Sequence, residues 1–149
     1  MDDPVAMVRR LAELTKPGGT LLAMDYVMNT IRSAPDDAVL SRGIEVLNGT
    51  FAAAGRPLDA GVRLGQWFME AGLPLPHGTD IEGRLEIVGG EESMLARALE
   101  GLATPAVKLE VASEAEMATL PGRVREVAAR REHLFHWPTV TAAWTRIGG

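Results

Sequence analysis

The chain has 149 residues, of which 46% are apolar, and a formal net charge of −5 at pH 7. This length and composition suit one globular domain with its own apolar core. The acidic balance disfavours strong binding to nucleic acid, because an acidic surface repels phosphate. The absence of cysteine excludes disulfides, thiolate metal sites and cysteine nucleophiles.

No apolar run approaches the roughly 18 residues that span a bilayer. Residues 2–4 are acidic and proline-containing, where a secretory signal would be basic. We therefore expect a cytoplasmic protein that does not interact with a membrane.

The first predicted element is a helix. Asp3 is a candidate N-cap, and Pro4 follows at the first helical position, where its missing N–H is harmless. The helix should end at the Lys-Pro-Gly-Gly turn of residues 16–19. Residues 20–26 are predicted to form a strand. Within it Leu21, Leu22, Ala23 and Met24 make an apolar run without alternation, which is typical of a strand covered on both faces. We expect this strand to have a neighbouring strand on each side.

Two helices are predicted next. Residues 36–54 have apolar side chains at helical spacing, namely Leu40, Ile44, Leu47 and Phe51. Residues 62–71 place Leu64, Trp67, Phe68 and Ala71 on one face. Gly72 is the expected C-cap of this second helix.

The middle of the chain is predicted to contain a strand and two further helices. Between residues 80 and 88, apolar and charged residues alternate, which predicts a strand at or near a sheet edge. Residues 91–103 form a helix with inward side chains at Met94, Leu95, Ala98, Leu99 and Leu102. Ser113 and Glu116 form a capping box for the next helix, which Pro121 should divide.

The last predicted element is a strand at residues 139–147, which are rich in Thr, Val and Trp. The order is then helix, strand, two helices, strand, helices, strand, so the predicted fold class is α/β. Neither an internal repeat nor a domain boundary is evident, and we expect residues 1–149 to form a single domain.

Four local patterns accompany this order. They are the acidic-Pro start at residues 2–4, the Arg-Arg-Leu triplet at 9–11, the Lys-Pro-Gly-Gly turn at 16–19 with its strand, and the Phe-Met-Glu-Ala-Gly-Leu segment at 68–73. In this order they resemble the C-terminal half of a class I S-adenosylmethionine-dependent methyltransferase. The resemblance implies an incomplete Rossmann-like methyltransferase sheet, made of the last three strands with the final one antiparallel.

In that family, S-adenosylmethionine is held mainly by the earlier half, through a Gly-rich loop after the first strand and an acidic residue after the second. No such loop follows a strand near the N-terminus of this chain, so we assign it no cofactor-binding residues. Whether the chain is an enzyme is left open. It could be a fragment of a longer reading frame, a chain whose first half is a separate polypeptide, or a degenerate methyltransferase with another role.

The candidate substrate-binding residues follow from the predicted sheet. Ligands of open α/β sheets bind beyond the carboxyl ends of the strands, which puts Asp25, Tyr26 and Met28 at the mouth of a site. A methyl acceptor that loses a proton needs a base, and Asp25, Tyr26 or His136 could serve. Each also has a structural interpretation: Asp25 as a turn residue, Tyr26 as packing, and His136 as a loop histidine.

Two predicted helical insertions, residues 29–60 and 89–136, could form a lid over a small acceptor. His133 and His136 are three residues apart with Glu132 adjacent, but this spacing is weakly diagnostic and we predict no metal site.

The leading functional hypothesis is small-molecule O- or N-methyl transfer, catalytic only when the missing cofactor-binding half is present. Its partners would be a small-molecule acceptor and that half, with no nucleic acid. The alternative is a non-enzymatic dimerisation or interaction module with a homodimer partner. In that case the strand at residues 20–26, lacking its inner neighbour, would expose an unpaired edge.

Overall fold

The computed structural model describes residues 3–76, 79–82, 85–87 and 93–148. The helices are α1 (Pro4–Leu14), α2 (Ala38–Ala53), α3 (Ala60–Glu70), α4 (Met94–Lys108) and α5 (Glu114–Ala129). The strands are β1 (Thr20–Val27), β2 (Arg32–Ala34), β3 (Thr79–Glu82), β4 (Leu85–Ile87), β5 (Leu134–His136) and β6 (Thr139–Arg146). None of the helices in these ranges combines the length and the apolar character needed to cross a lipid bilayer.

The described residues fall into two compact units. The first contains α1, β1, α3, β3 and β6, and the second contains α2, α4, α5 and the strands β2, β4 and β5. Helices occur with a small sheet in each unit, so the predicted α/β class is confirmed.

The sheet of the first unit has the strand order β1-β6-β3. Strand β6 runs antiparallel to both of its neighbours, so β1 and β3 point in the same direction. The register places Leu22 opposite Trp144 and Tyr26 opposite Val140. The prediction that the last strand is antiparallel is confirmed.

Strand β1 differs from its prediction in two ways. It lies at an edge of the sheet, and it is covered on one face only, where Leu21 packs in a core with Val8, Leu64, Phe68 and Ala143. On the other face, Leu22, Met24 and Tyr26 are 53%, 57% and 51% exposed. The expected burial on both faces is wrong, because an apolar run shows that a strand can be covered but not which elements cover it.

The ends of the first unit's helices follow their sequence signals. Asp3 Oδ1 accepts a hydrogen bond from the N–H of Ala6 at 2.8 Å, which confirms the predicted N-cap of α1. After α3, Gly72 has a φ of 87°, a left-handed conformation that favours glycine. The N–H of Leu73 then donates to the carbonyl oxygen of Phe68 at 3.0 Å, closing the predicted C-cap.

The core of the second unit lies between α2, α4 and α5. Its most deeply buried side chains include Leu40, Val46, Leu95, Leu99, Leu120, Val124 and Phe135. Helix α2 comes close to the other two at Gly43, where an added Cβ would lie 3.2 Å from Leu95, 3.3 Å from Leu99 and 3.4 Å from Val124. The strands form a second small antiparallel sheet in the order β2-β5-β4.

The strand predicted at residues 80–88 is in fact two strands in different sheets. Strand β3 pairs with β6 in the first unit, and β4 pairs with β5 in the second. Residues 83–84 and 88 lie outside the described residues. The alternation of residue types correctly indicated extended backbone, but a period of two carries no information about the pairing partner.

Helices α4 and α5 of the second unit also differ from the prediction. Helix α4 begins after Ser93, and residue 91, the predicted start, lies outside the described residues. The helix continues through Pro105 to Lys108, beyond the expected end at residue 103. Met94, predicted to point inward, is 58% exposed, because it occupies the first helical position and precedes the apolar face.

Pro121 does not divide α5, which runs unbroken on both sides of it. A proline inside a helix removes one main-chain donor, and here the buried ring lies among the apolar residues that α5 presents to the core. The predicted cap is confirmed, since Ser113 Oγ accepts a hydrogen bond from the N–H of Glu116 at 3.1 Å.

Candidate functional site

Asp25 and Tyr26 lie together at the carboxyl end of β1. Both side chains are exposed, and the N–H of Tyr26 donates to Asp25 Oδ1 at 2.7 Å. This bond fixes one oxygen of the carboxylate against the strand. Asp25 lies near the carboxyl end of β1, the end of a strand at which open α/β sheets bind ligands.

The main chain of β1 presents alternate residues to β6 and to the open edge. The N–H of Ile147 donates to the carbonyl oxygen of Gly19 at 2.9 Å, so Gly19 faces β6. Because alternate residues of an antiparallel strand bond to the same neighbour, the main-chain groups of Thr20, Leu22 and Met24 point away from β6. We call these groups the β1 edge. Among the described residues, β6 is the only strand that pairs with β1.

Two residues of the β1 edge, Leu22 and Met24, also belong to an exposed apolar surface of the first unit. Leu22, Met24 and Tyr26, which we call the β1 face, share one side of the sheet with Trp144 and Val140 of β6. The β6 side chains on this side are partly buried, whereas the three from β1 are exposed. The first unit therefore combines an open strand edge with an exposed apolar row.

Met28 has a structural role in the second unit. It begins a one-turn 3-10 helix, Met28–Thr30, and its N–H donates to the carbonyl oxygen of Leu58 at 2.6 Å. Its carbonyl oxygen accepts from the N–H of Ile31 at 3.2 Å and from Asn48 Nδ2 at 3.4 Å. The side chain packs against the apolar core of that unit.

His136 also belongs to the second unit. It is half-buried in β5, between Arg32 of β2 and Leu85 of β4 in the register. Its Nδ1 atom is buried and finds no hydrogen-bond partner among the described residues. The four predicted substrate-binding residues thus divide between the units, Asp25 and Tyr26 in the first and Met28 and His136 in the second.

Sequence reasoning missed the role of His133, which is 8% exposed. Its Nδ1 lies 3.0 Å from the carbonyl oxygen of Pro35, and its Nε2 lies 4.0 Å from Asp37 Oδ2. Asp37 is the N-cap of α2, so the histidine packs against the start of that helix. Within the described ranges, no group of three His, Asp or Glu side chains is arranged to hold a metal ion. No local pattern indicates the contact with Pro35, because the two residues are 98 positions apart.

A shallow groove of about 550 Å³ lies in the second unit between α4 and α5. It is lined by Ala103, Thr104, Val107, Lys108, Glu114, Met117 and Ala118. The lining is mainly aliphatic and carries one charge of each sign, so the groove could accept a small apolar group.

The loop after β1 does not have the features of a loop that holds S-adenosylmethionine. A Gly-rich loop lets the main chain approach the cofactor closely, but the residues after β1 are Met28, Asn29, Thr30 and Ile31, without glycine. The N–H groups of Met28 and Ile31 are already used within the second unit. We therefore assign no step of a reaction to cofactor groups held by these residues.

No protein-family model matches the chain, and no curated protein sequence matches it.

Proposed function

We propose that the chain is the acceptor-side part of a class I, S-adenosylmethionine-dependent methyltransferase for small molecules, with the cofactor site supplied by other polypeptide. The observation that carries this proposal is the β1-β6-β3 sheet, in which a final antiparallel strand lies between two strands of the same direction. The final antiparallel strand is the feature that the resemblance to the last three strands of class I methyltransferases implies. Helix α1 precedes β1 and α3 precedes β3, as the resemblance implies.

The connections of the second unit support an acceptor-side role. One of its two segments begins directly after Val27 of β1, and the other directly after Glu82 of β3. Because these strands run in the same direction, both segments leave the sheet at carboxyl ends, where α/β proteins bind ligands. The segments that were predicted as lids, 29–60 and 89–136, supply most of this unit.

The chemistry required of this part is modest. Methyl transfer to oxygen or nitrogen needs alignment, exclusion of water and, for a protonated acceptor, a base. We assign that base to Asp25, whose carboxylate is exposed and held by the Tyr26 N–H. Its carboxylate would accept the proton that the acceptor oxygen or nitrogen loses. His136 is the alternative base, whereas the side chain of Tyr26 lies on the opposite face of β1 from that of Asp25 and is assigned no role at the same acceptor atom.

Calorimetric titration with S-adenosylhomocysteine tests the proposal. We expect no binding by the chain alone and micromolar binding when it is produced together with the polypeptide encoded upstream of it. Micromolar binding by the chain alone would contradict the assignment of the cofactor site to other polypeptide. Absence of binding by both preparations would contradict the methyltransferase proposal itself.

The assignment of Asp25 as the base can be tested separately, in any enzyme formed by this chain together with the cofactor-binding polypeptide. Asp25→Asn keeps an oxygen for the Tyr26 N–H but cannot take a proton, so turnover should fall while S-adenosylhomocysteine binding is unchanged. Asp36→Asn, at an exposed loop position, is the matched control. Equal turnover in the two variants would remove Asp25 from this role.

A second candidate function is a self-association module. The specific observation in its favour is that the β1 edge and the β1 face involve the same strand. An open edge bordered by apolar side chains is a template for pairing with another chain. Sedimentation equilibrium tests this second function, because a self-association module forms a defined oligomer whereas a chain without this function remains a monomer.

A further inference from the structure

The β1 edge is symmetric about Leu22. Thr20, Leu22 and Met24 point their main-chain groups outward, with one outward residue on each side of the central leucine. The next outward N–H, that of Tyr26, is already bonded to Asp25 Oδ1 at 2.7 Å. At the other end, the N–H of Gly18 is bonded to the carbonyl oxygen of Ile147 at 2.9 Å. The available donors are therefore the three of the β1 edge.

We propose that β1 pairs antiparallel with β1 of a second copy of this chain, across a two-fold axis at Leu22. Leu22 then lies opposite Leu22 of the second copy, and Thr20 lies opposite Met24. All three outward residues of each copy exchange main-chain hydrogen bonds, and the two three-stranded sheets become one sheet of six strands. This inference rests on the second proposed function and not on methyl transfer.

Charge favours the same register. With Leu22 on the axis, Asp25 lies opposite Gly19 of the second copy. Gly19 belongs to the tight turn that begins at Lys16, because the Gly19 N–H donates to the Lys16 carbonyl oxygen at 2.8 Å. Lys16 is exposed, so its ammonium group can reach towards the carboxylate of Asp25 at each end of the paired strands.

The neighbouring registers are less favourable. An axis at Met24 would require the N–H of Tyr26, which Asp25 already binds, and would bring the two Asp25 residues within about 8 Å of each other. An axis at Thr20 would require the N–H of Gly18, which is bonded within its own chain. The register of two paired strands therefore depends on which main-chain groups are available at the strand ends, as well as on the pattern of side chains.

The apolar side chains add to the pairing. Leu22 is 53% exposed in the single chain, and the proposed axis places it beside its own equivalent on the same side of the sheet. Cross-strand contacts between directly opposite apolar side chains stabilise a sheet. Met24 lies beside Thr20, whose methyl group covers part of it.

The absence of native cysteine permits a crosslinking test of the register. Leu22→Cys puts two thiols on residues whose Cα atoms are about 5.5 Å apart in the proposed pair. Met24→Cys is the matched control, because its two copies would be about 14 Å apart. After treatment with a short thiol-specific crosslinker, we expect the Leu22→Cys chain to give several-fold more dimer than the Met24→Cys chain.

Each other outcome contradicts the proposal. Stronger crosslinking of Met24→Cys would place the axis elsewhere, and equal crosslinking would indicate non-specific association. If the chain is a monomer in sedimentation equilibrium and neither variant is crosslinked, β1 does not pair with a second copy. The partner of the β1 edge would then be a strand from a different polypeptide. None of these experiments measures S-adenosylhomocysteine binding, so their results are independent of the methyltransferase proposal.

A second pair of variants tests the main-chain bonds. Leu22→Pro removes an outward N–H, and proline is tolerated at edge positions whose N–H faces away from the sheet. Leu22→Ala removes the same side chain but keeps the N–H. We expect the proline variant to be monomeric and the alanine variant to retain a weaker dimer, with similar circular dichroism spectra. Equal self-association of the two folded variants would overturn the proposal.

Discussion

Gly61 of α3 lies against the main chain of Asp25 in β1. A Cβ atom added to Gly61 would stand 2.7 Å from the carbonyl oxygen of Asp25, 3.0 Å from Val27 Cγ2 and 3.1 Å from Thr141 Oγ1. Real Cβ atoms do not approach main-chain oxygens this closely, so the glycine sets how near α3 lies to the sheet. Asp25 is the proposed base, and the same contact therefore supports the strand that carries it.

Gly61→Ala should destabilise the protein by about 1–3 kcal/mol, because the helix must move away from the sheet. Gly65→Ala is the control in the same helix, since nothing lies within 4 Å of its added Cβ. That variant should gain up to about 1 kcal/mol from the higher helix propensity of alanine. Urea unfolding of both variants measures the difference. A Gly61→Ala chain as stable as the Gly65→Ala chain would show that α3 shifts without cost.

The elements that could be predicted from sequence are those whose signals are local. Asp3 and Pro4 set the start of α1, and Gly72 ends α3. The coverage of β1 could not be predicted, because it depends on which helices reach each face. The pairing of β3 and β4 with different sheets could not be predicted either, since both have the same alternation. Both properties are determined by contacts between residues that are far apart in the sequence.

The candidate site shows the same division. The sequence correctly placed Asp25 and Tyr26 at the carboxyl end of a strand. It could not show that Met28 uses its main-chain groups within the second unit, because its partners Leu58 and Asn48 are distant in sequence. Nor could it show that the outward N–H of Tyr26 is bonded to Asp25.

The N-cap of α2 gives a second prediction. Asp37 Oδ1 accepts hydrogen bonds from the N–H groups of Val39 at 2.8 Å and Leu40 at 3.1 Å. Asp37→Ala should cost about 1 kcal/mol in the free energy of unfolding, whereas Asp37→Asn keeps an acceptor and should cost less. Asp36→Ala, at the exposed preceding residue, should have little effect. Similar losses at residues 36 and 37 would mean that the cap does not stabilise the helix.

The ion pair between α2 and α5 predicts a dependence of stability on pH. Glu116 accepts from Arg42 Nε at 2.8 Å and from an Arg42 terminal nitrogen at 3.2 Å. The Arg42 hydrogen bond lowers the pKa of Glu116 below its ordinary value of 4.5, against the opposing effect of burial. The same bond raises the pKa of Arg42.

Because the pKa of Glu116 is lower in the folded state, its ionised form stabilises that state above the unfolded pKa. This stabilisation is lost as the pH falls through the folded pKa. Wild type should therefore exceed Glu116→Gln by about 0.5–1 kcal/mol near neutral pH, with the difference shrinking below pH 4.5. Glu126→Gln, exposed on the same helix, is the control. A difference that stays constant from pH 7 to about 3 would exclude the ionised pair as its source.

Two buried threonines should respond differently to replacement by valine. Thr145 of β6 is fully buried, and its hydroxyl has no hydrogen-bond partner among the described residues. Thr50 of α2 is also buried, but its hydroxyl donates to the carbonyl oxygen of Val46 at 2.7 Å. Valine has the same shape as threonine and lacks the hydroxyl. Removing an unpaired buried polar group relieves its desolvation penalty, whereas removing a bonded one loses a hydrogen bond.

Thr145→Val should therefore raise the free energy of unfolding by about 1 kcal/mol, and Thr50→Val should leave it unchanged or lower it by about 1 kcal/mol. Urea unfolding at neutral pH gives both values under the same conditions. Valine also suits the central strand at residue 145, so secondary-structure propensity does not oppose the expected gain. A loss of stability in Thr145→Val would mean that its hydroxyl is hydrogen-bonded in solution, for example to water.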